Sequence, residues 1–230
     1  MNGHPLAALP TRRRRAREVV RRLYELYPTE TTALAWSSPW QLLVAVALSA
    51  QTTDVRVNLV TPELFARFPT PEELARAPLE EIELLIRPTG FFRAKARSIR
   101  GAAGHLLEHH GGEVPRTTAE LVLVPGVGRK TAAVVLGHAF GVSEGVAVDT
   151  HAGRVSRRLG LIEAADPVPA ERELMEVLAR RVWIDWTNLT IAHGRAICRS
   201  RAPRCSECRL RDLCPEGRQR LRSSRGPSRR

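Results

Sequence analysis

Four cysteines, one lysine and one aspartate carry most of the chemical information in this 230-residue chain. Cys198, Cys205, Cys208 and Cys214 are its only cysteines, spaced C-x6-C-x2-C-x5-C within one short segment. Four thiolates so arranged suit tetrahedral zinc or an iron–sulfur cluster. Zinc ribbons usually pair two C-x2-C knuckles, and only one is present; the wider spread favours a 4Fe–4S cluster and leaves zinc open. Lys130 stands out differently: of 36 basic side chains, only Lys95 and Lys130 are lysine. Arginine stays protonated at working pH, whereas a lysine in a suitable field can offer a neutral amine, the nucleophile of Schiff-base chemistry. A phosphate-contacting lysine beside Arg129 fits the position as well, and composition leaves both readings open. Asp149, in Val148-Asp149-Thr150-His151, precedes a helical stretch. It reads as an N-cap, a role that would also fix a catalytic carboxylate rigidly. His151 and His193 read as structural rather than as metal ligands.

These residues need elements to hold them, and the signals are helical. Leu123-Val124-Pro125-Gly126-Val127-Gly128-Arg129-Lys130-Thr131 joins two helical stretches. Glycines on either side of Val127 allow a tight turn whose amides point outward at a helix N-terminus, an arrangement that binds phosphate. A Walker loop would need glycine at 129, and a dinucleotide fingerprint glycine at 131; the chain has Arg129 and Thr131. Two readings remain, a plain inter-helix turn and a helix–hairpin–helix, which grips DNA backbone without reading bases; two glycines around Val127 are more than a plain turn requires. Ser38-Pro39-Trp40-Gln41 starts a helix, apolar all round from Leu42 to Ala50. Thr61-Pro62-Glu63 is expected to open another. Thr70 to Glu73 and Thr117 to Glu120 read as capping boxes. Val146 to Val148 is the one strand candidate, and the proline-rich Asp166 to Pro169 suggests a local boundary. The fold class predicted is all-α.

The formal charge of +12 sits at the ends: residues 1–22 and 217–230 each carry net +6, and the stretch between them is neutral. Tails of arginine, serine, glycine and proline are expected to be disordered and to bind polyanions weakly if at all. Arg195, Arg199, Arg201, Arg204, Arg209 and Arg211 crowd the cysteine region and could give a neutral middle one basic face. No apolar run approaches the roughly 18 residues of a membrane span, and no signal peptide follows the early arginines. The expectation is a cytoplasmic monomer with no membrane role, nucleoid-associated in a prokaryote.

Taken together, the motifs resemble the endonuclease III family of DNA glycosylases over about residues 31–214. They are Ser37-Ser38-Pro39, Leu48-Ser49-Ala50-Gln51-Thr52-Thr53-Asp54, the glycine hairpin with Lys130, Ala147-Val148-Asp149-Thr150-His151, His193-Gly194-Arg195 and the four cysteines. The resemblance implies a bifunctional glycosylase and apurinic/apyrimidinic lyase that removes oxidised pyrimidines from double-stranded DNA through a lysine Schiff base and β-elimination. It implies Lys130 as nucleophile, Asp149 as its activating carboxylate and a 4Fe–4S cluster on the cysteines. DNA contacts are implied at Gln51, Phe91, Gly126, Val127, Gly128, Arg129, Thr150, His151, Arg199 and Arg201. Gln51 would fill the gap left by the flipped nucleotide, and Phe91 would wedge against the opposite strand. Related adenine glycosylases typically lack the lysine. Ala133, the pair Ala152-Gly153 and the pair Phe91-Phe92 depart from the family's usual residues, and Ala152-Gly153 is expected to open the pocket. The expected layout is a six-helix barrel with the helix–hairpin–helix at 32–143, a cluster lobe from 23–31 with 144–215, and basic disordered tails at 1–22 and 216–230. Lys130 and Asp149 would meet at the cleft.

Overall fold

Arginine-rich as it is, Leu9–Leu26 forms an 18-residue helix, α1, in the computed structural model, which describes residues 6–28 and 32–223. This corrects the expectation of a disordered tail through residue 22. Ala16, Val19 and Leu23 make a buried stripe at helical spacing. The guanidinium groups around that stripe are used as well: Arg12 donates to the Leu161 carbonyl at 2.9 Å and Arg15 to those of Leu159 and Gly160 at 3.0 Å. Periodicity outweighs composition here, because the arginines satisfy carbonyls of the body they pack on. The expected C-terminal tail needs the same correction up to Ser223, where a helix runs Pro215–Ser223. Residues 1–5 and 224–230, where disorder is also expected, lie outside the described residues.

The chain divides into two units, one of them Thr32–Glu144. That unit carries α2 (Pro39–Leu48), α3 (Asp54–Arg67), α4 (Pro71–Arg76), α5 (Leu79–Ile86), α6 (Phe92–His110), the single turn α7 (Thr118–Leu121) and α8 (Arg129–Phe140). Helix α2 is buried on nearly every side, at Trp40, Leu42, Leu43, Val44, Ala45 and Leu48, and packs against α8, while α6 lies against α4 and α5. Its start is the one the sequence predicts: the Ser38 hydroxyl accepts the Gln41 amide at 3.2 Å, with Pro39 in the first turn. Thr70 and Glu73 form a full capping box, but at Thr117 the Glu120 carboxylate takes the threonine hydroxyl rather than the cap amide. Thr61-Pro62 opens nothing. Helix α3 runs straight through Pro62 from a Thr53 cap, because Val57, Val60, Thr61 and Leu64 bury one continuous face. That burial outweighs the ~3 kcal/mol an interior proline costs.

The other unit comprises α1, α9 (Thr150–Arg158), α10 (Pro167–Val177), α11 (Trp183–Ala196) and α12 (Pro215–Ser223). Its core centres on Trp186, fully buried, with its indole N–H donating to Ser156 Oγ at 3.1 Å. Asp166 to Pro169 marks no boundary; it begins α10 within this unit. The strand candidate is absent, and no strand occurs among the described residues. Val146 and Ala147 are buried outside any helix, and the Ala147 carbonyl accepts the Thr187 hydroxyl at 2.6 Å in place of a sheet partner. The all-α expectation holds. No helix among the described residues is long and apolar enough to cross a membrane.

Candidate functional site

The hairpin between α7 and α8 is closed by the Val127 amide donating to the Val124 carbonyl at 3.0 Å, and Val127 plugs the core at 7% exposure. Gly126 has φ +79°, and a Cβ there would lie 2.8 Å from Ser98 Cβ on α6. Backbone sign and close approach therefore both demand glycine. Gly128 caps α8 in an extended conformation with open space around it. The amides of a first helical turn have no carbonyl behind them, so this end of the 12-residue α8 favours an anion. Arg129 and Lys130 occupy that turn, and both are exposed. Gly126→Ala is expected to destabilise the protein by about 1–3 kcal/mol through left-handed strain and the clash with Ser98. Thermal unfolding would measure this, and affinity for DNA should fall with it; an unchanged melting temperature would show that the turn relaxes freely.

Gln51 and Phe91 share a feature that sequence reasoning missed. Among the described residues they are the only non-glycine residues with positive φ, +55° and +48°. Such a conformation costs on the order of 1–3 kcal/mol and persists only where surrounding structure enforces it. Gln51 stands exposed in a turn closed by the Thr52 amide on the Ser49 carbonyl at 3.2 Å. Phe91, the residue before α6, is 68% exposed, an unusual place for a phenyl ring. Both belong to the Thr32–Glu144 unit.

In the other unit Asp149 caps α9. Its Oδ1 accepts the amides of His151 at 2.8 Å and Ala152 at 2.7 Å. Its Oδ2 accepts no hydrogen bond among the described residues, so one oxygen anchors the carboxylate and the other is available. Thr150 is exposed, and His151 Nδ1 lies 3.1 Å from Arg154 Nη2. Gly194 makes room for this pair: a Cβ there would stand 2.5 Å from His151 Nδ1 and 2.8 Å from Arg154 Nη2. Ala152 is fully buried in the Trp186 core, and Gly153 packs against Val148 and Arg157.

The same helix reaches the cysteines. Arg154 donates to the Cys198 carbonyl at 3.2 Å. Arg158, which sequence reasoning did not single out, donates to Cys198 Sγ at 3.4 Å and to the carbonyls of Arg199 at 2.7 Å and Ser200 at 2.8 Å, and pairs with Glu216 at 3.1 Å. All four cysteines line one cavity. The Leu210 amide donates to Cys208 Sγ at 3.4 Å and the Gly217 amide to Cys214 Sγ at 3.2 Å. As a thiol, Cys214 donates to the Arg158 carbonyl at 3.0 Å. Burial pushes the Cys214 thiol up to about 12 and raises Cys205 and Cys208 as well. Among the described residues no three His, Cys, Asp or Glu side chains are grouped so as to hold a single metal ion. His193 is 2% exposed, and burial pushes it down to about 4, so its ring is neutral. Its Nδ1 lies 3.2 Å from the Tyr27 hydroxyl and its Nε2 3.6 Å from Cys208 Sγ. Arg199 and Arg201 are exposed, whereas Arg204 and Arg211 turn back onto the carbonyls of Ala196 and Ser206.

Comparison with known proteins adds a family. Residues 44–180 match the family model described as HhH-GPD superfamily base excision DNA repair protein. Endonuclease III of Synechocystis sp. is 50% identical over 210 residues, covering 91% of this chain and 96% of that protein. Endonuclease III of Escherichia coli K12 is 42% identical over 197 residues, covering 86% and 93%. Two solved structures superpose with a TM-score of 0.85 at 41% identity, covering 91% of this chain and 98% of theirs. One is a non-covalent endonuclease III–DNA complex, the other a trapped endonuclease III–DNA covalent intermediate.

Proposed function

We propose, since the chain belongs to the endonuclease III family within the HhH-GPD superfamily of base excision DNA repair proteins, that Lys130 is the nucleophile of its glycosylase and lyase chemistry. The protein is a bifunctional DNA glycosylase and apurinic/apyrimidinic lyase that removes oxidised pyrimidines from duplex DNA. One observation carries the assignment of the lysine. Of the two lysines in the chain, Lys95 is nine-tenths buried and bonded to a backbone carbonyl, whereas Lys130 is exposed on the first turn of α8, directly after the glycine hairpin.

The sugar carbon of a stacked nucleotide is out of reach, so the damaged nucleotide must leave the helix first. Gln51 fills the vacated space and Phe91 bears on the opposite strand. The hairpin of Gly126, Val127 and Gly128 holds phosphate at the N-terminus of α8, where first-turn amides lack carbonyl partners, with Arg129, Thr150, His151, Arg199 and Arg201 as further backbone contacts. The Lys130 lone pair then bonds to C1′ while the glycosidic bond breaks, its electrons leaving with the base, which takes up a proton. Asp149, through the oxygen its cap leaves available, accepts the proton that the amine gives up and offsets positive charge on the sugar. Opening of the sugar yields the Schiff base. Loss of a C2′ proton then expels the 3′ phosphate and cuts the strand. Borohydride delivers hydride to the imine and freezes this intermediate as a covalent protein–DNA adduct. Purified protein on a duplex with an oxidised pyrimidine should give that adduct; a protein that excises the base without forming it would be monofunctional, and the lysine assignment would fall.

The four cysteines are the ligands of a 4Fe–4S cluster in this reading. What supports it is the donor set: four sulfurs around one cavity, with the amides of Leu210 and Gly217 and the Arg158 guanidinium aimed at three of them. Donors of this kind favour thiolate over thiol, as iron would, and a thiolate at Cys214 gives up its bond to the Arg158 carbonyl. When bound, the cluster braces the loop that carries Arg199 and Arg201 and takes no part in bond breaking. Purified anaerobically, the protein should be brown and contain about four iron and four sulfide per chain. A colourless protein with stoichiometric zinc would reverse the assignment. With DNA as substrate, a monomer in the cytoplasm, associated with the nucleoid in a prokaryote, is the expected form.

A further inference from the structure

Lys95 has no place in the chemistry above, yet it is the other lysine in a chain that elsewhere uses arginine. It lies in α6 at 7% exposure, and burial pushes its amine below the usual lysine range. A buried ammonium is costly unless its donors are satisfied. No carboxylate pairs with it among the described residues; its Nζ donates to the Thr89 carbonyl at 2.8 Å.

The bond falls at a telling place. Thr89 ends the short 3-10 turn Arg87–Thr89, and the next two residues both have positive φ, Gly90 at +68° and Phe91 at +48°. Glycine tolerates this, whereas phenylalanine does not without help. The Lys95 backbone amide donates to the Phe91 carbonyl at 3.1 Å. Lys95 thus bonds the carbonyls on both sides of the strained pair, with its side chain before Gly90 and its main chain after Phe91. Thr89 is itself 1% exposed, its hydroxyl donating to the Ile86 carbonyl at 2.8 Å. A compact ammonium on a flexible stem takes little room over one buried carbonyl, where the broad planar guanidinium fork, with five donors, would need more space and more acceptors.

We propose that Lys95 is a positioning residue for opening the duplex: it clamps the Thr89–Phe91 loop so that the Phe91 ring stays projected and cannot fold back when pushed against a base pair. This rests on the reading of the chain as a glycosylase with Phe91 as its wedge. The clamp serves nucleotide extrusion only, so its loss should depend on the substrate.

Lys95→Met, Phe91→Ala and the double variant, each in the full chain, test this on two DNAs. One is a duplex with an oxidised pyrimidine; the other is a single strand with an abasic site, where no base pair has to be opened. Lys95→Met should slow single-turnover excision from the duplex roughly tenfold to a hundredfold. It should leave borohydride trapping on the single strand within about twofold of the parent and add little to Phe91→Ala, since both changes act through one element. Equal losses on both DNAs, losses that multiply in the double variant, or no loss on the duplex would each overturn the clamp. Should circular dichroism show Lys95→Met unfolded, Lys95→Gln keeps a donor for the Thr89 carbonyl and goes through the same comparison, with an intermediate duplex rate expected. The parent's adduct on single-stranded DNA checks the enzymatic reading separately. A parent with no adduct sinks both, whereas a normal parent with an insensitive Lys95 variant sinks the clamp alone.

Discussion

Lys130→Gln removes the borohydride-trapped adduct and brings strand cleavage down to background, a loss of roughly 10^4-fold or more, as for other enzymes deprived of a covalent nucleophile. No neighbouring side chain can take over. Arg129 stays protonated and forms no imine, and the amine of Lys95 is buried against Thr89. Glutamine keeps the length and polarity of the side chain at an exposed position, so stability should change by less than about 0.5 kcal/mol. Affinity for DNA carrying an abasic analogue should stay within a few-fold, because the hairpin amides remain. Single-turnover cleavage, trapping and equilibrium binding on the same duplex separate these effects. Full lyase activity in Lys130→Gln would remove the lysine from the mechanism, and a parallel collapse of binding would recast it as a phosphate contact.

The second large effect concerns Asp149 and turns on a distinction visible in its two oxygens. If Asp149 were only a cap, asparagine would replace it almost silently, since asparagine is as good an N-cap and can accept the amides of His151 and Ala152 just as Oδ1 does. As a proton acceptor and counter-charge it is irreplaceable by a neutral amide. Asp149→Asn should therefore retain the parent's thermal stability to within about 1 kcal/mol and lose roughly 10²–10⁴-fold in base excision. Asp149→Ala adds the cost of the lost cap, about 1 kcal/mol. Excision by Asp149→Asn at the parent's rate would leave the residue a helix cap and nothing more.

Helix α9 ties this carboxylate to the cysteine loop. Asp149 stands at its N-terminus, and Arg154 and Arg158 project from its next turns onto the Cys198 carbonyl and sulfur. A nine-residue helix with two arginines bonded to the cysteine loop leaves little freedom for either end, which is why arginines unremarked in the sequence belong in any description of the site. Their contacts span some 40 positions along the chain, and nothing in the local pattern of α9 announces them. The signal at hand is only the crowding of arginine around cysteine.

The residue types and local spacings proposed here for the chemistry are legible in the sequence. The two glycines about Val127 with Lys130, the aspartate before a helix and the four cysteines are short-range patterns, because amide geometry, capping and ligand spacing act over a few residues. The all-α class was legible for the same reason, from caps such as Ser38 and Thr70. Tertiary structure alone decided what those patterns did in context. It made the arginine-rich α1 a packed helix, since its guanidinium groups find carbonyls more than 140 residues away. It carried α3 through Pro62 on the strength of a buried face and set Ala152 in the core around Trp186. It also gave the two lysines opposite surroundings, Lys130 in solvent and Lys95 buried against the Thr89 carbonyl. Local rules choose the conformation a segment prefers, but burial and long-range hydrogen bonds, summed over contacts remote in sequence, are larger than those preferences and have the last word.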